Sequence, residues 1–446
     1  MSATTIMGKA ARWCVRRSLR LYYPRIEVEG RERLPATGAV LFVANHPNSL
    51  MDPALIGFAV RRPVHFFAKA PLFDVPVFGA LMRALGMVPA YRGQDDKASV
   101  RKNLETLEVG AKYLAQGGAV GIFPEGKTHD REGIEQVRGG AARIAQSAVV
   151  ADAPTVIVPL GLNYARKERF RSAIWVRVGE PIDARAWFRD RGDEERQALR
   201  SLTEEIDRRL KQVVIHLNEE RWQPFLSELE ALLPAEADTT HDPIAALRQR
   251  KRFADAMNHL LATDRPRAEA VAGVIENHRT QLAVAGLTMN APILHQGVGR
   301  LTAHFIGETL SLLLGLVPAI AGTLHHLVPF LITRGIVQLV KHPGRATIAQ
   351  NRLMIGLPLY GLWYALVWWM LATQSQAWIA WLWTGLMPFC GIAALHYAWR
   401  VRHAGRTWWH ELKLLLQPKT LRSLREGQVL VRRKLESLRD EYRARN

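Results

Sequence analysis

Three apolar runs, 310–333, 353–371 and 377–399, limit this chain more than anything else in it. Each is close to the ~20 residues that carry a helix across a bilayer core. A backbone in hydrocarbon must satisfy its own hydrogen bonds, so runs of this kind form helices. The last two are parted only by Ala372-Thr373-Gln374-Ser375-Gln376, a loop short enough to force an antiparallel hairpin. Trp368, Trp369, Trp378 and Trp381 crowd that turn as interfacial anchors do. Arg345 and Arg352 precede the hairpin, Arg400, Arg402 and Arg406 follow it, and the turn is uncharged. Both ends of the hairpin are therefore expected in the cytoplasm. If 310–333 crossed as well, either Arg334, Lys341, Arg345 and Arg352 or the basic tail would face outward. Pro318, Gly322-Thr323 and His325-His326 also interrupt that run, so a re-entrant or interfacial segment is expected there. A soluble bundle of all three is the alternative, for which tryptophan-rich runs are poor material.

Upstream, short apolar runs alternate with helical stretches. Strands are expected at 39–44, 64–67, 119–123, 155–162 and 173–178. Val100, Leu104, Leu107 and Ala111 make a helical stripe, and Gly139-Gly140 opens another helix. Leu199, Leu202, Ile206, Leu210, Val213, Val214 and Leu217 keep the helical period and close an α/β domain. Pro224, Pro234, Pro243 and Pro266 then punctuate a polar, helix-prone stretch. The expected layout is a basic amphipathic helix over 1–23, the α/β domain over 24–217 and a helical connector over 218–303. A membrane region over 304–400 and a basic helical tail over 401–446 follow. Lys9, Arg12, Arg16, Arg17 and Arg20 precede no uninterrupted apolar core, which argues against a cleaved secretory signal. Ile6, Ala10, Trp13 and Cys14 instead share one helical face, as an interfacial helix would.

The formal charge of +19 calls for an anionic partner, either nucleic acid or an anionic membrane surface. Aromatics are not interleaved with the tail arginines Arg422, Arg425, Arg432 and Arg433 as a base-stacking platform requires, so a solvated or phospholipid-headgroup face is expected and nucleic acid is not. Cys14 and Cys390 match no metal or disulfide spacing, and His129 and His325-His326 lack a third ligand at a convincing distance, so no metal is expected.

The chemistry concentrates in Val43-Ala44-Asn45-His46-Pro47-Asn48-Ser49-Leu50-Met51-Asp52. An imidazole stands at the end of an apolar run, turn residues follow, and a carboxylate comes six positions later. A base and its orienting acid could meet here. Alone, the stretch reads equally well as a strand end followed by Asp52 capping the helix that Pro53 opens.

Further stretches bear on that choice. Asn45-His46 with Asp52, Gly86-Met87-Val88-Pro89-Ala90-Tyr91-Arg92, Phe123-Pro124-Glu125-Gly126 and Val158-Pro159-Leu160-Gly161-Leu162 resemble, in order and spacing, the four motifs of the glycerolipid acyltransferases. Thr128-His129-Asp130-Arg131, and Leu162-Asn163-Tyr164 followed by Phe170-Arg171-Ser172, look like the fungal glycerol-3-phosphate/dihydroxyacetone-phosphate branch and its bacterial relatives. The resemblance implies a mixed-sheet α/β domain and a membrane-bound O-acyltransferase of phospholipid synthesis. Acyl-CoA or acyl carrier protein would be co-substrate, with no other cofactor. The acceptor would be glycerol 3-phosphate or dihydroxyacetone phosphate, with lysophosphatidate as the alternative. The enzyme would sit on the cytoplasmic (inner) membrane with its catalytic domain facing the cytoplasm. A catalytically silent membrane-binding or lipid-remodelling partner is the alternative of another class.

Acyl transfer to a hydroxyl needs a neutral imidazole to take the proton, which the resemblance assigns to His46, with Asp52 fixing its tautomer. Arg92 would grip the acceptor phosphate in a bidentate fashion. Glu125 would hold an acceptor hydroxyl or orient phosphate-binding backbone, and Gly126 would supply a permissive turn. Lys127, Thr128 and Arg138 add phosphate-compatible donors, although each taken alone reads more readily as solvated surface than as a ligand. Pro159 argues for an edge or wall position lining the acyl path, with packing as the equal alternative. The chain departs from the family in one respect: five residues rather than the common four separate His46 from Asp52. The turn after Pro47 is expected to absorb the extra one.

Overall fold

A computed structural model describes residues 6–74, 76–90, 97–190, 195–232, 242–339 and 344–445. The chain forms two compact units, one of Met1–His216, Asp242–Lys251 and His342–Leu353, the other of Leu217–His241, Arg252–Lys341 and Met354–Asn446.

The first unit is built on a mixed sheet of β1 (Arg25–Glu29), β2 (Val40–Ala44), β3 (His65–Lys69), β4 (Val88–Ala90), β5 (Ala119–Ile122), β6 (Val156–Tyr164), β7 (Ala173–Val178) and β8 (Ile182–Asp183). The order is β1-β7-β6-β2-β5-β3-β4, with β8 on β6. Every pairing is parallel except those of β6 with β7 and β8. Val40-Leu41-Phe42-Val43-Ala44 is apolar throughout because β2 is central and both its faces are covered. Leu41 and Val43 point into one core with the helices α4 (Lys97–Ala115), α5 (Gly140–Val150) and α7 (Glu195–Val213). Val40, Phe42 and Ala44 point into the other, with α1 (Ile6–Tyr22) and α2 (Met51–Val60). Two further helices, α3 (Pro76–Ala84) and α6 (Ala184–Arg189), complete the layers.

The five expected strands are present, and β6 and β7 lie where the sequence puts them. The edge position expected for Pro159 is not: β6 is an interior strand, and Pro159 pairs with Val43 of β2. Its missing N–H falls where the outer partner of β6 changes, after Val156 and Ile157 have paired with β8 and before Leu160 pairs with β7. The Pro159 carbonyl still accepts from Gly179 N at 2.8 Å. A proline is tolerated in the middle of this sheet because no donor is called for at that point.

The second unit is helical, with α8 (Gln223–Leu232), α9 (Pro243–Thr263, shared with the first unit), α10 (Arg265–Val284), α11 (Pro292–His295), α12 (Val298–Leu339), α13 (Arg345–Gln374, also shared), α14 (Ala377–Leu415) and α15 (Pro418–Arg445). The connector and the basic tail share a core, in which Val271, Ile275 and Leu282 meet Leu421, Leu424 and Val431. Arg425 is therefore not on the solvated face the sequence suggests. Its guanidinium donates to the carbonyls of Ile293 and Gln296, at the open end of α11.

Among the described residues, three helices are long and apolar enough to cross a membrane: Gly299–Leu339, Arg345–Gln374 and Ala377–Arg402. The break expected near Pro318 does not occur, for α12 runs on with Pro318 and Pro329 inside it. Pro329 has no N–H for the carbonyl of His325 one turn back, and Trp363 Nε1 of α13 donates to that carbonyl instead at 2.8 Å. His326 donates from Nδ1 to Gly322 O at 2.7 Å and accepts from Tyr364 at Nε2 at 2.8 Å. Both rings of the histidine pair take part in helix packing, His325 Nδ1 accepting from Trp383 Nε1 at 3.3 Å. Gly322 lies against the Cys390 carbonyl and Gly391 against His326, the close approach that small residues permit between apolar helices.

Candidate active site

The site forms beyond the carboxyl ends of β2 and β5, the usual location for ligands in an open α/β sheet. Asn45, the first residue past β2, is buried and donates from Nδ2 to Leu162 O (3.1 Å) while Oδ1 accepts from Leu162 N (2.8 Å). That two-point bond fixes the chain just before His46. The His46 ring stacks on Phe123, centroids 4.0 Å apart and planes 8° from parallel, so the end of β5 sets its orientation.

His46 Nδ1 lies 2.8 Å from Asp52 Oδ2. The added residue is absorbed in the intervening turn, where Ser49 adopts φ 40°, a value rare outside glycine. Asp52 Oδ2 also accepts from Asn48 N at 2.7 Å, and Oδ1 from the Tyr164 hydroxyl at 2.6 Å. With 0% of its surface exposed, the carboxylate has three donors in place of water. A carboxylate only accepts, so a neutral His46 carries its proton on Nδ1 and presents a lone pair at Nε2. Nε2 has no hydrogen-bond partner among the described residues, and the side chain keeps 17% of its surface open. Burial, and after it the Asp52 charge, raise the Tyr164 phenol well above its ordinary pKa, which keeps it a donor.

Neither Tyr164 nor Asn48 carries a sequence signal that ties it to Asp52. Asn48 Nδ2 donates to Tyr23 Oη (2.9 Å) and to Lys167 O (3.1 Å), so the turn is anchored to a loop far along the chain.

Glu125 is 1% exposed, and both its oxygens are occupied. Oε1 accepts from His46 N at 2.8 Å; Oε2 accepts from Glu135 N at 2.8 Å and meets His129 Nε2. Of the two roles the sequence allows, holding an acceptor hydroxyl or orienting backbone, this geometry supports the second. Burial opposes charge on His129, but the bonded Glu125 carboxylate and nearby Glu135 outweigh it and raise its pKa. Gly126 has φ 74°, which a turn this tight requires. Lys127 is exposed and paired with Glu135 at 2.8 Å, and Thr128 is half-buried. Arg138 N donates to Pro124 O at 2.9 Å, and its exposed side chain lies over Gly126. Arg92 lies outside the described residues.

Residues 25–163 match the family model described as Acyltransferase. Glycerol-3-phosphate O-acyltransferase 2 of Saccharomyces cerevisiae is 43% identical over 83 residues, which are 18% of this chain and 11% of that one. The chain thus spans about a tenth of that relative's length. The 1-acyl-sn-glycerol-3-phosphate acyltransferase of Bacillus subtilis is 27% identical over 190 residues, 42% of this chain and 87% of that one. Among solved structures, the 1-acyl-sn-glycerophosphate (LPA) acyltransferase PlsC of Thermotoga maritima has a TM-score of 0.34 at 22% identity, covering 45% of this chain and 77% of that one.

Proposed function

We propose that this chain, whose residues 25–163 are an acyltransferase-family domain, transfers an acyl group from a thioester to a hydroxyl of glycerol 3-phosphate or dihydroxyacetone phosphate. The observation that carries the reading is the free Nε2 of a histidine whose Nδ1 is held by a buried carboxylate. Nε2 takes the hydroxyl proton as the oxygen attacks the thioester carbonyl. The imidazolium, opposite Asp52, then returns the proton to the departing thiolate as the carbon–sulfur bond breaks. Arg92 and Arg138 supply cationic contacts for the acceptor phosphate, while Glu125 fixes the backbone of His46 from behind. The donor is acyl-CoA or acyl carrier protein. Lysophosphatidate is the second acceptor reading, favoured by the longer alignment with the Bacillus relative.

Membranes holding the full chain, given labelled acyl thioester with each of the three acceptors in parallel, are expected to acylate one of the first two fastest. Turnover of lysophosphatidate alone would reverse the choice, and turnover of none would overturn the enzyme.

The three apolar helices support attachment to the cytoplasmic membrane, and the arginines outside the hairpin support a cytoplasmic catalytic domain. With Cys14 and Cys390 changed to serine, Ser375→Cys is expected to react with an impermeant thiol reagent added outside intact cells. Protection at that position would reverse the hairpin.

A further inference from the structure

The catalytic turn is held from one side by a segment about 300 residues away. Helix α2, which carries Asp52 in its first turn, has no side-chain cap of its own: Leu50 stands at its N-cap position. The Leu50 N–H donates instead to Gln350 Oε1, at 3.2 Å, from the first turns of α13. The arrangement is reciprocal, because Asp130 Oδ1, just past the Glu125 turn, accepts from Ala346 N at the start of α13 at 2.9 Å. Between these two bonds Ala349 is fully buried in the same core as Met51, Leu55 and Phe42. Arg352 donates to Glu168 O at 3.0 Å and Arg345 faces the Glu168 carboxylate at 3.5 Å. The adjoining Lys167 carbonyl is the one that receives Asn48.

We infer that the first turns of α13 are a positioning strap for the catalytic turn, with Gln350 its principal residue. The turn has two features that call for outside support: the extra residue between His46 and Asp52, and the left-handed φ of Ser49. Gln350 meets the N–H of the residue that follows Ser49, so the strap holds the bend through which the base and its carboxylate meet. The family match ends at 163, so this support comes from a part of the chain beyond the matched domain. The helix that supplies it continues as a candidate membrane span, which makes the geometry of the catalytic turn dependent on a membrane helix.

The inference rests on His46 as the base, and its test has a readout independent of turnover. In vesicles of phosphatidylethanolamine and phosphatidylglycerol, the full chain with Gln350→Ala is expected to lose about tenfold in kcat with acceptor KM within about twofold, as a slightly displaced catalytic group does. Amide hydrogen exchange of residues 48–52 is expected to quicken in the same variant. Gln350→Glu keeps an acceptor oxygen and is expected to restore both, to within about threefold in kcat. Arg352→Gln, at an exposed side chain, loosens the strap elsewhere and is expected to give a weaker form of the same signature. Unchanged kcat and exchange in Gln350→Ala would overturn the strap, as would equal loss in the Ala and Glu variants. If His46→Ala remained active, the proposed base would fail, and the exchange comparison would still judge the strap.

Discussion

Replacing His46 with alanine is expected to lower kcat by about 10²–10⁴-fold, the usual worth of a positioned general base. The fold should survive. Asp52 keeps its bonds from Asn48 N and Tyr164, Asn45 keeps both bonds to Leu162, and Phe123 still packs near Phe66 at 6.0 Å between centroids. Added imidazole is expected to restore part of the turnover, since the deleted ring leaves space beside an intact carboxylate. A purely structural histidine would give no such rescue. Steady-state kinetics of the purified chain in vesicles, with and without imidazole, decide the matter: turnover within about threefold of the parent would remove His46 from the mechanism.

What could be read in advance follows from which interactions are local. The apolar runs of β2 and β6 announce central strands, and the paired types in the Asn45–Asp52 stretch announce a candidate base and acid. By contrast, β1 is Arg-Ile-Glu-Val-Glu, half-exposed at the sheet edge, so it lacks the apolar run that marks a buried strand. Residues β4 and β8 contribute are too few to form a pattern. Tyr164 and Gln350 reach the site only because β6 lies beside β2 and α13 begins there, at separations of 112 and 300 residues. Nothing in the types at 164 or 350 declares these partners. Pro159 shows the limit from the other direction. Its side-chain type points to an edge, whereas the change of partner strand that excuses its missing N–H is a property of the assembled sheet. The closure of His46 on Asp52 across five residues is of the same kind, since it depends on the unusual φ of Ser49 and on support from outside the turn.

Asp52→Asn separates charge from shape at this site. The amide can place its oxygen where Oδ2 now receives His46 Nδ1 and Asn48 N, and its nitrogen can face the Tyr164 oxygen, which accepts as readily as it donates. The turn and the fold are therefore expected to persist, with a melting temperature close to the parent's. The negative charge is lost, so the imidazolium that forms as the acceptor oxygen attacks has only a neutral amide beside it in a fully buried setting. A fall in kcat of about 10²–10⁴-fold is expected, with little change in acceptor KM, because the charge acts on the proton transfer and the carboxylate has no exposed surface to offer a substrate. Asp52→Ala should instead lower the melting temperature, as it strands the buried Asn48 N–H and the Tyr164 hydroxyl. If Asp52→Asn turned over normally while Asp52→Ala unfolded, Asp52 would be a structural cap for the turn and His46 would act without its help.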